Sequence, residues 1–291
     1  MSPPGITPVL PHTFADCEAS YEEARYVLVG VPYDGTTSFR PGTRSGPRAI
    51  REMSTNFESF IPEYRLSLDE IPVHDLGDLD TPAGAGDVVA LVEDTVRMIR
   101  NNGKVPIVIG GEHTATVGAT RAMKPEVLVV CDAHLDLRSE FRGQRYNHAC
   151  STRLVYEDGV HEIFILGARS GTAEQFAFAE QLHLYTPARI RDRGIGAVVR
   201  EIAECIGERD LYLSVDADVI DCCITPGLGT PEPFGLTPHD IRAVIATLGP
   251  FAGAFDYMEV CPCDNGQTAC VAAQLIREFI AAHWSAQPGC R

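Results

Sequence analysis

The chain has 291 residues, with 24 Lys and Arg against 40 Asp and Glu, for a formal charge of −16. With 45% hydrophobic residues it can bury a substantial core, which excludes wholesale disorder. The acidic balance argues against nucleic acid and anionic membranes as partners, because both polyanions need clustered Lys and Arg. Along the chain, short β-rich apolar runs occur at Tyr26–Val31, Val105–Gly110, Val127–Cys131, Ile163–Leu166, Leu211–Val215 and Ala252–Tyr257. Helical stripes fall between and after them. Val88, Val92, Val96 and Ile99 share one face, as do Ile241, Val244, Ile245 and Leu248, and later Leu275, Ile276, Phe279 and Ile280. The second stripe opens with Thr237-Pro238-His239-Asp240, an N-cap Thr, a first-turn Pro and an acid three residues after the cap.

Strands alternating with helices indicate βα units, hence an α/β fold with a central, mainly parallel sheet between helical layers. At about 150 residues per domain the length allows two domains. No repeat, low-complexity tract or linker divides the chain, so one domain over residues 1–291 is expected. No run approaches the roughly 18 apolar residues of a membrane span. The N-terminal stretch lacks a secretory signal pattern, and a cytoplasmic protein is expected. The ten cysteines are scattered. Cys131, Cys150, Cys205 and Cys270 lie in apolar context and read as small hydrophobes, while Cys222-Cys223 and Cys261-Pro262-Cys263 lack zinc-knuckle spacing. Reduced thiols are expected.

In parallel sheets, ligands sit beyond the carboxyl ends of the strands. Four predicted strands empty there into polar residues: Gly111-Glu112-His113, Asp132-Ala133-His134-Leu135-Asp136, Asp216-Ala217-Asp218 and Glu259. Asp-x-His-x-Asp and Asp-x-Asp would put their side chains on one face if the backbone stayed extended. Two imidazoles and four carboxylates in one place are too anionic to coexist without protons or cations. Two divalent ions would balance the four charges, and carboxylates can bridge such a pair. Oxygen-rich ligation with imidazole suits Mn²⁺, with zinc, Fe²⁺, Co²⁺ or Ni²⁺ as other candidates. His74, Asp75 and Asp78 also follow a strand-like run but lack a second cluster at similar spacing, and they read as loop or capping residues.

The segments GGEHTATVGAT, VVCDAHLDLR and SVDADVID resemble the three metal-binding motifs of the ureohydrolases, the arginase and agmatinase family. VPYDGTTSFRPGTRSGPRAIR, LGARSGTAEQFAFAE and PGLGTPEPFGLT extend the resemblance over nearly the whole chain. It implies an arginase-like three-layer α/β/α fold. It also implies two Mn²⁺ per subunit and a homo-oligomer, either a trimer or a hexamer of stacked trimers. His113 and Asp136 would bind one ion, His134 and Asp218 the other, with Asp132 and Asp216 bridging both. A metal-bridging hydroxide would attack the guanidinium carbon, and Asp136 would also orient it. Glu259 would pair with the guanidinium, and His148 would move protons to the leaving amine.

The stretch LDLRSEFRGQRYNHACST is similar to the agmatinase version and lacks the Asn and His-Gly patterns of arginases. Agmatine, giving putrescine and urea, is therefore the expected substrate. Its distal ammonium calls for an acidic pocket mouth, for which Asp136, Glu140 and Glu157 are candidates. Aminopropylagmatine, guanidinobutyrate, guanidinopropionate, arginine or guanidine remain alternatives, as does a non-catalytic regulatory paralogue. Two departures stand out. Cys222 replaces a common Pro, which leaves that loop less fixed, and Glu112 replaces an Asp before the metal-binding His.

Overall fold

The structure, a computed structural model, describes residues 13–287. In chain order the strands are β1 (Tyr26–Val31), β2 (Phe60–Ile61), β3 (Leu66–Ser67), β4 (Val73–Asp78), β5 (Val105–Gly110), β6 (Val127–Cys131), β7 (Glu162–Leu166), β8 (His183–Tyr185), β9 (Leu211–Asp216) and β10 (Ala252–Met258). The helices are α1 (Gly46–Ser54), α2 (Ala85–Asn101), α3 (Thr114–Met123), α4 (Ser151–Glu157), α5 (Ala173–Ala179), α6 (Pro187–Arg193), α7 (Ile195–Ile206), α8 (Pro238–Leu248) and α9 (Gln267–Ser285). All six apolar runs are strands, and the three helical stripes lie on α2, α8 and α9. Thr237 caps α8 as expected, in a capping box with Asp240.

Eight strands form one sheet in the order β4-β1-β5-β10-β9-β6-β7-β8, and every pairing in it is parallel. The strand alternation divides the core in two. Tyr26 and Leu28 of β1 pack with residues of α1, α7, α8 and α9 on one side of the sheet. Val27, Val29 and Val31 pack with α2, α3 and α4 on the other. A sheet covered on both faces explains why β1, β5 and β6 are buried along their whole length and carry no polar alternation, while β9, equally buried, alternates Leu211, Leu213 and Val215 with Tyr212, Ser214 and Asp216. The result is the three-layer α/β/α arrangement expected.

His74, Asp75 and Asp78 correct the loop reading. They lie on edge strand β4, paired with β1. Asp75 accepts two hydrogen bonds from buried Arg51 of α1, at 2.7 and 2.9 Å, and another from the Phe14 amide at 2.7 Å. Asp78 also pairs with Arg51. A Cβ at Gly30 would lie 1.9 Å from Asp78 Oδ1, so only glycine leaves room for this ion cluster. Among the cysteines, Cys131 and Cys150 are buried as expected, but Cys205 is exposed and Cys270 half-buried. Both sit on outward-facing helix positions. The nine described cysteines are free thiols.

Candidate active site

Strands β5, β10, β9 and β6, the four that empty into polar residues, are consecutive neighbours at the centre of the sheet. Their registers run flush: Tyr257 lies opposite Ile109, Met258 opposite Asp216, and Val215 opposite Cys131. The side chains just beyond these ends therefore converge. Turn chemistry brings them together, however, and not extended backbone. β6 ends before Asp132, whose Oδ1 accepts the His134 amide at 2.6 Å, and Asp136 sits at φ +49°. Asp216 Oδ1 accepts the Asp218 amide at 2.8 Å in a short 3-10 turn. After β5, Gly111 passes so close to Tyr33 that a Cβ would lie 1.9 Å from its carbonyl oxygen, and His113 then caps α3.

His113 Nδ1 lies 3.1 Å from Asp132 Oδ2, 3.1 Å from Asp216 Oδ2 and 3.8 Å from Asp136 Oδ2. His134 Nδ1 lies 2.9 Å from Asp218 Oδ2 and 3.6 Å from Asp132 Oδ1. Two triplets of donor atoms result, His113/Asp132/Asp136 and Asp132/His134/Asp218, each spanning no more than 4.8 Å. Asp132 belongs to both, one oxygen to each side. Asp216 contacts the His113 side.

Whether these residues suit cations can be read from their unmatched atoms. His113 Nδ1 and Asp132 Oδ2 are buried without a hydrogen-bond partner although they are 3.1 Å apart. Lone pairs facing a common point in this way fit a positive ion between them. The opposite ring nitrogens are tied back. His113 Nε2 meets Ser214 Oγ at 2.9 Å, and His134 Nε2 faces Glu232 Oε1 at 3.7 Å. Partners of this kind orient ligating histidines and leave Nδ1 for the ion. Ser151 Oγ donates to Asp136 Oδ2 at 2.9 Å, fixing that carboxylate too.

The electrostatics point the same way. Burial, followed by the Asp132 charge, lifts Asp136 to about 7. Burial and the charges of Asp218 and Asp132 raise Asp216 well above the carboxylate range. Burial opposes charge on Asp132 as well, but His113 and His134 outweigh it and hold that carboxyl low. Both imidazoles are raised despite burial, through contacts with these carboxylates. The cluster needs added positive charge. Without cations it takes up protons.

Glu259, at φ +64° just past β10, is half-buried beside the cluster, and its Oε1 accepts the His113 amide at 2.8 Å. Burial and then Glu112 push its carboxyl well up. His148 sits in a 3-10 turn (His148–Cys150) capped by Asn147, with Phe141 edge-on at 6.3 Å. Burial and the nearby His134 and His113 lower it to about 4, so its ring is neutral at pH 7. His134, Asp136, Asp216, Asp218, His148 and Glu259 all line one cavity of about 250 Å³, together with Ser38, Arg138, Phe141 and Gln175. His113 and Asp132 lie behind it.

Of the three candidate mouth acids, Asp136 lines the cavity, and Glu140 and Glu157 are not among its lining residues. Glu140 is exposed, and Glu157 is held on the surface by Arg145 and Arg153. Cys222 does not loosen its loop, because Asp221 accepts the amides of Cys223 and Gly235 at 2.8 and 3.0 Å and closes the turn. The supporting residues Ser214, Glu232, Ser151 and Thr36 escaped the sequence reading. For all four a signal existed, since Thr36, Ser151, Ser214 and Glu232 lie inside the segments VPYDGTTSFRPGTRSGPRAIR, LDLRSEFRGQRYNHACST, SVDADVID and PGLGTPEPFGLT.

An arginase family model matches residues 24–282. The N(1)-aminopropylagmatine ureohydrolase of Thermococcus kodakarensis is 42% identical over 268 residues, 90% of this chain and 91% of that protein. The agmatinase of Pyrococcus horikoshii is 37% identical over 260 residues, covering 88% of this chain and 90% of that one. The solved agmatine ureohydrolase of Thermoplasma volcanium has a TM-score of 0.90 at 39% identity, covering 94% of each chain. With the family model and these relatives spanning most of its length, the chain belongs to the arginase family and is a hydrolase of that family.

Proposed function

We propose that the chain hydrolyses the guanidinium group of agmatine to urea and putrescine, with two Mn²⁺ held by His113, Asp132, His134, Asp136, Asp216 and Asp218. The observation that carries this reading is the pair of donor triplets sharing Asp132 behind a cavity that Glu259 also lines. When bound, the cations supply Lewis acidity that lowers the pKa of nearby water and makes a nucleophile available at neutral pH. Glu259 binds the planar guanidinium through paired charge-assisted hydrogen bonds, its carboxylate plane set by the His113 amide. That contact turns the central carbon toward the donor cluster. Asp136, steadied by Ser151, accepts a hydrogen bond from the attacking water and holds it in line. Water supplies the oxygen of urea, the bond from carbon to the substituted nitrogen breaks, and His148 passes a proton to the departing amine.

A second reading has one specific support. The relative that is 42% identical is named for N(1)-aminopropylagmatine, which carries the same guanidinium on a longer polyamine tail. Both substrates are cationic, and a formal charge of −16 favours their approach. A non-catalytic regulatory chain would have no use for the whole set of donors with Glu259 and His148. A trimer or hexamer in the cytoplasm completes the proposal. The free thiols of the nine described cysteines support that compartment, and light scattering of the purified protein tests the assembly. The substrate test is urea release by the Mn²⁺-loaded chain from agmatine, N(1)-aminopropylagmatine, guanidinobutyrate and arginine. The fastest turnover is expected with agmatine. A higher kcat/KM for N(1)-aminopropylagmatine replaces it with the second reading, and arginine turnover equal to or above both rejects the two together.

A further inference from the structure

Thr36, in the loop after β1, makes contacts that the chemistry above does not use. Its Oγ1 lies 2.6 Å from Glu112 Oε1, 3.0 Å from His148 Nδ1 and 3.1 Å from the His148 amide nitrogen. A hydroxyl has one hydrogen to give and lone pairs to receive. Glu112 accepts on both oxygens, taking the Thr36 amide at 2.8 Å on Oε2 and the Thr114 hydroxyl at 2.5 Å on Oε1. The His148 amide can only donate. The Thr36 hydrogen therefore goes to Glu112, the shortest of its contacts, and its lone pairs face the His148 amide and ring. With Glu112 ionised, that leaves one consistent assignment for the ring. Nδ1 carries the hydrogen, and Nε2 is bare, accepting from Ser38 Oγ at 3.2 Å in the cavity wall.

We infer that Glu112 and Thr36 form a positioning relay that holds His148 in the Nδ1–H tautomer, with the Nε2 lone pair presented to the cavity. Thr36 and Glu112 are 7% and 2% exposed, so water does not compete for these bonds. Phe141 steadies the ring from its edge. The logic is that of a base oriented by a third group. When Nε2 takes a proton, Nδ1–H remains on Thr36, and the Glu112 carboxylate one bond further on offsets the new charge. Giving that proton to the departing amine restores the starting tautomer. The relay's effect on turnover rests on His148 being the proton carrier of the proposed ureohydrolase, whereas the tautomer itself does not.

The test uses the full chain labelled with ¹⁵N-histidine and loaded with diamagnetic Mg²⁺. Two-bond ¹H–¹⁵N correlations read the ring nitrogens, and His148→Asn identifies the signal. The expected wild-type ring has an unprotonated Nε2. Thr36→Val is expected to mix the tautomers and to lower kcat for urea release, in the Mn²⁺ enzyme, by about tenfold. KM and metal content should stay within about twofold, and Thr36→Ser, which keeps the hydroxyl, should restore both tautomer and rate. A wild-type ring with a bare Nδ1 overturns the relay, and so does a Thr36→Val spectrum identical to wild type. Parallel loss of metal or a matching rise in KM in Thr36→Val also overturns it, since Thr36 would then be structural support. The wild-type spectrum decides even where Thr36→Val does not fold. A wild-type chain that releases no urea defeats the ureohydrolase reading, while the tautomer still decides the relay.

Discussion

Asp132 is the residue on which both halves of the donor cluster depend, and replacing it separates charge from shape. Asp132→Asn keeps an Oδ1 that can accept the His134 amide, now 2.6 Å away, so the turn after β6 survives. It removes one charged donor from each of the two triplets, leaving two donors in each. Even loss of a group supporting a ligand commonly costs 10–100-fold in metal affinity, so loss of a shared ligand should exceed about 100-fold, or about 2.7 kcal/mol. Two sites filled at 100-fold excess over Kd stabilise the wild type by about 5 kcal/mol in total. For a chain of this size that is a rise in Tm of roughly 10 °C. In Asp132→Asn the rise on adding Mn²⁺ should fall below about 3 °C. Without metal, His113 and His134 are the cations that hold the Asp132 carboxyl low, so removing its charge should also lower the Tm of chelator-treated protein below that of the treated wild type. Paired melting curves with and without Mn²⁺, alongside metal analysis, read both effects. An Asp132→Asn chain that keeps two ions and the full wild-type upshift would refute the shared-ligand role.

Four further outcomes are expected. In chelator-treated protein Asp136 titrates near 7 when folded, against 3.8 as a free side chain. The folded state therefore holds the extra proton between those values, and this stability is lost as pH rises from about 4 to about 7. Tm against pH should fall across that window with chelator and stay flatter with Mn²⁺. Glu259→Gln should lower kcat/KM for agmatine by at least about 100-fold through loss of a charge-assisted guanidinium contact, with metal content unchanged. Steady-state kinetics with metal analysis check this, and near-normal kcat/KM would remove Glu259 from the substrate contact. Arg51→Ala strands buried Asp75 on β4 and should cost about 3–5 kcal/mol in denaturant titrations, without changing metal stoichiometry. For a cationic substrate steered by an acidic protein, kcat/KM should also decline as NaCl is raised, and a flat salt profile would mean that the −16 charge plays no part in capture.

The central sheet was legible because strands covered on both faces read as unbroken apolar runs. β1, β5 and β6 occupy the spans that their hydrophobicity outlines. β4 was not, because an edge strand tolerates polar residues. Its buried Asp75 is stabilised by Arg51, which lies 24 residues earlier and leaves no local pattern. β8 is three residues long, too short for any periodicity to emerge. The site was legible in its donors, which cluster at strand ends, but not in how they meet. Asp-x-His-x-Asp converges through an Asp132 turn and a left-handed Asp136, whereas the period-two reading assumed an extended strand. The supporting contacts were least visible. Ser214 meets His113 across 101 positions, and Thr36 meets His148 across 112, and a lone hydroxyl carries no spacing signal.

The most direct measurement is the joint yield of urea and amine from agmatine by the Mn²⁺-loaded chain, before and after chelation. One urea per putrescine is expected, at a rate abolished by chelator and restored when Mn²⁺ is returned to two ions per chain. Absence of urea from the loaded protein, or an undiminished rate after the ions are stripped, would contradict a cation-dependent guanidinium hydrolase built on this donor cluster.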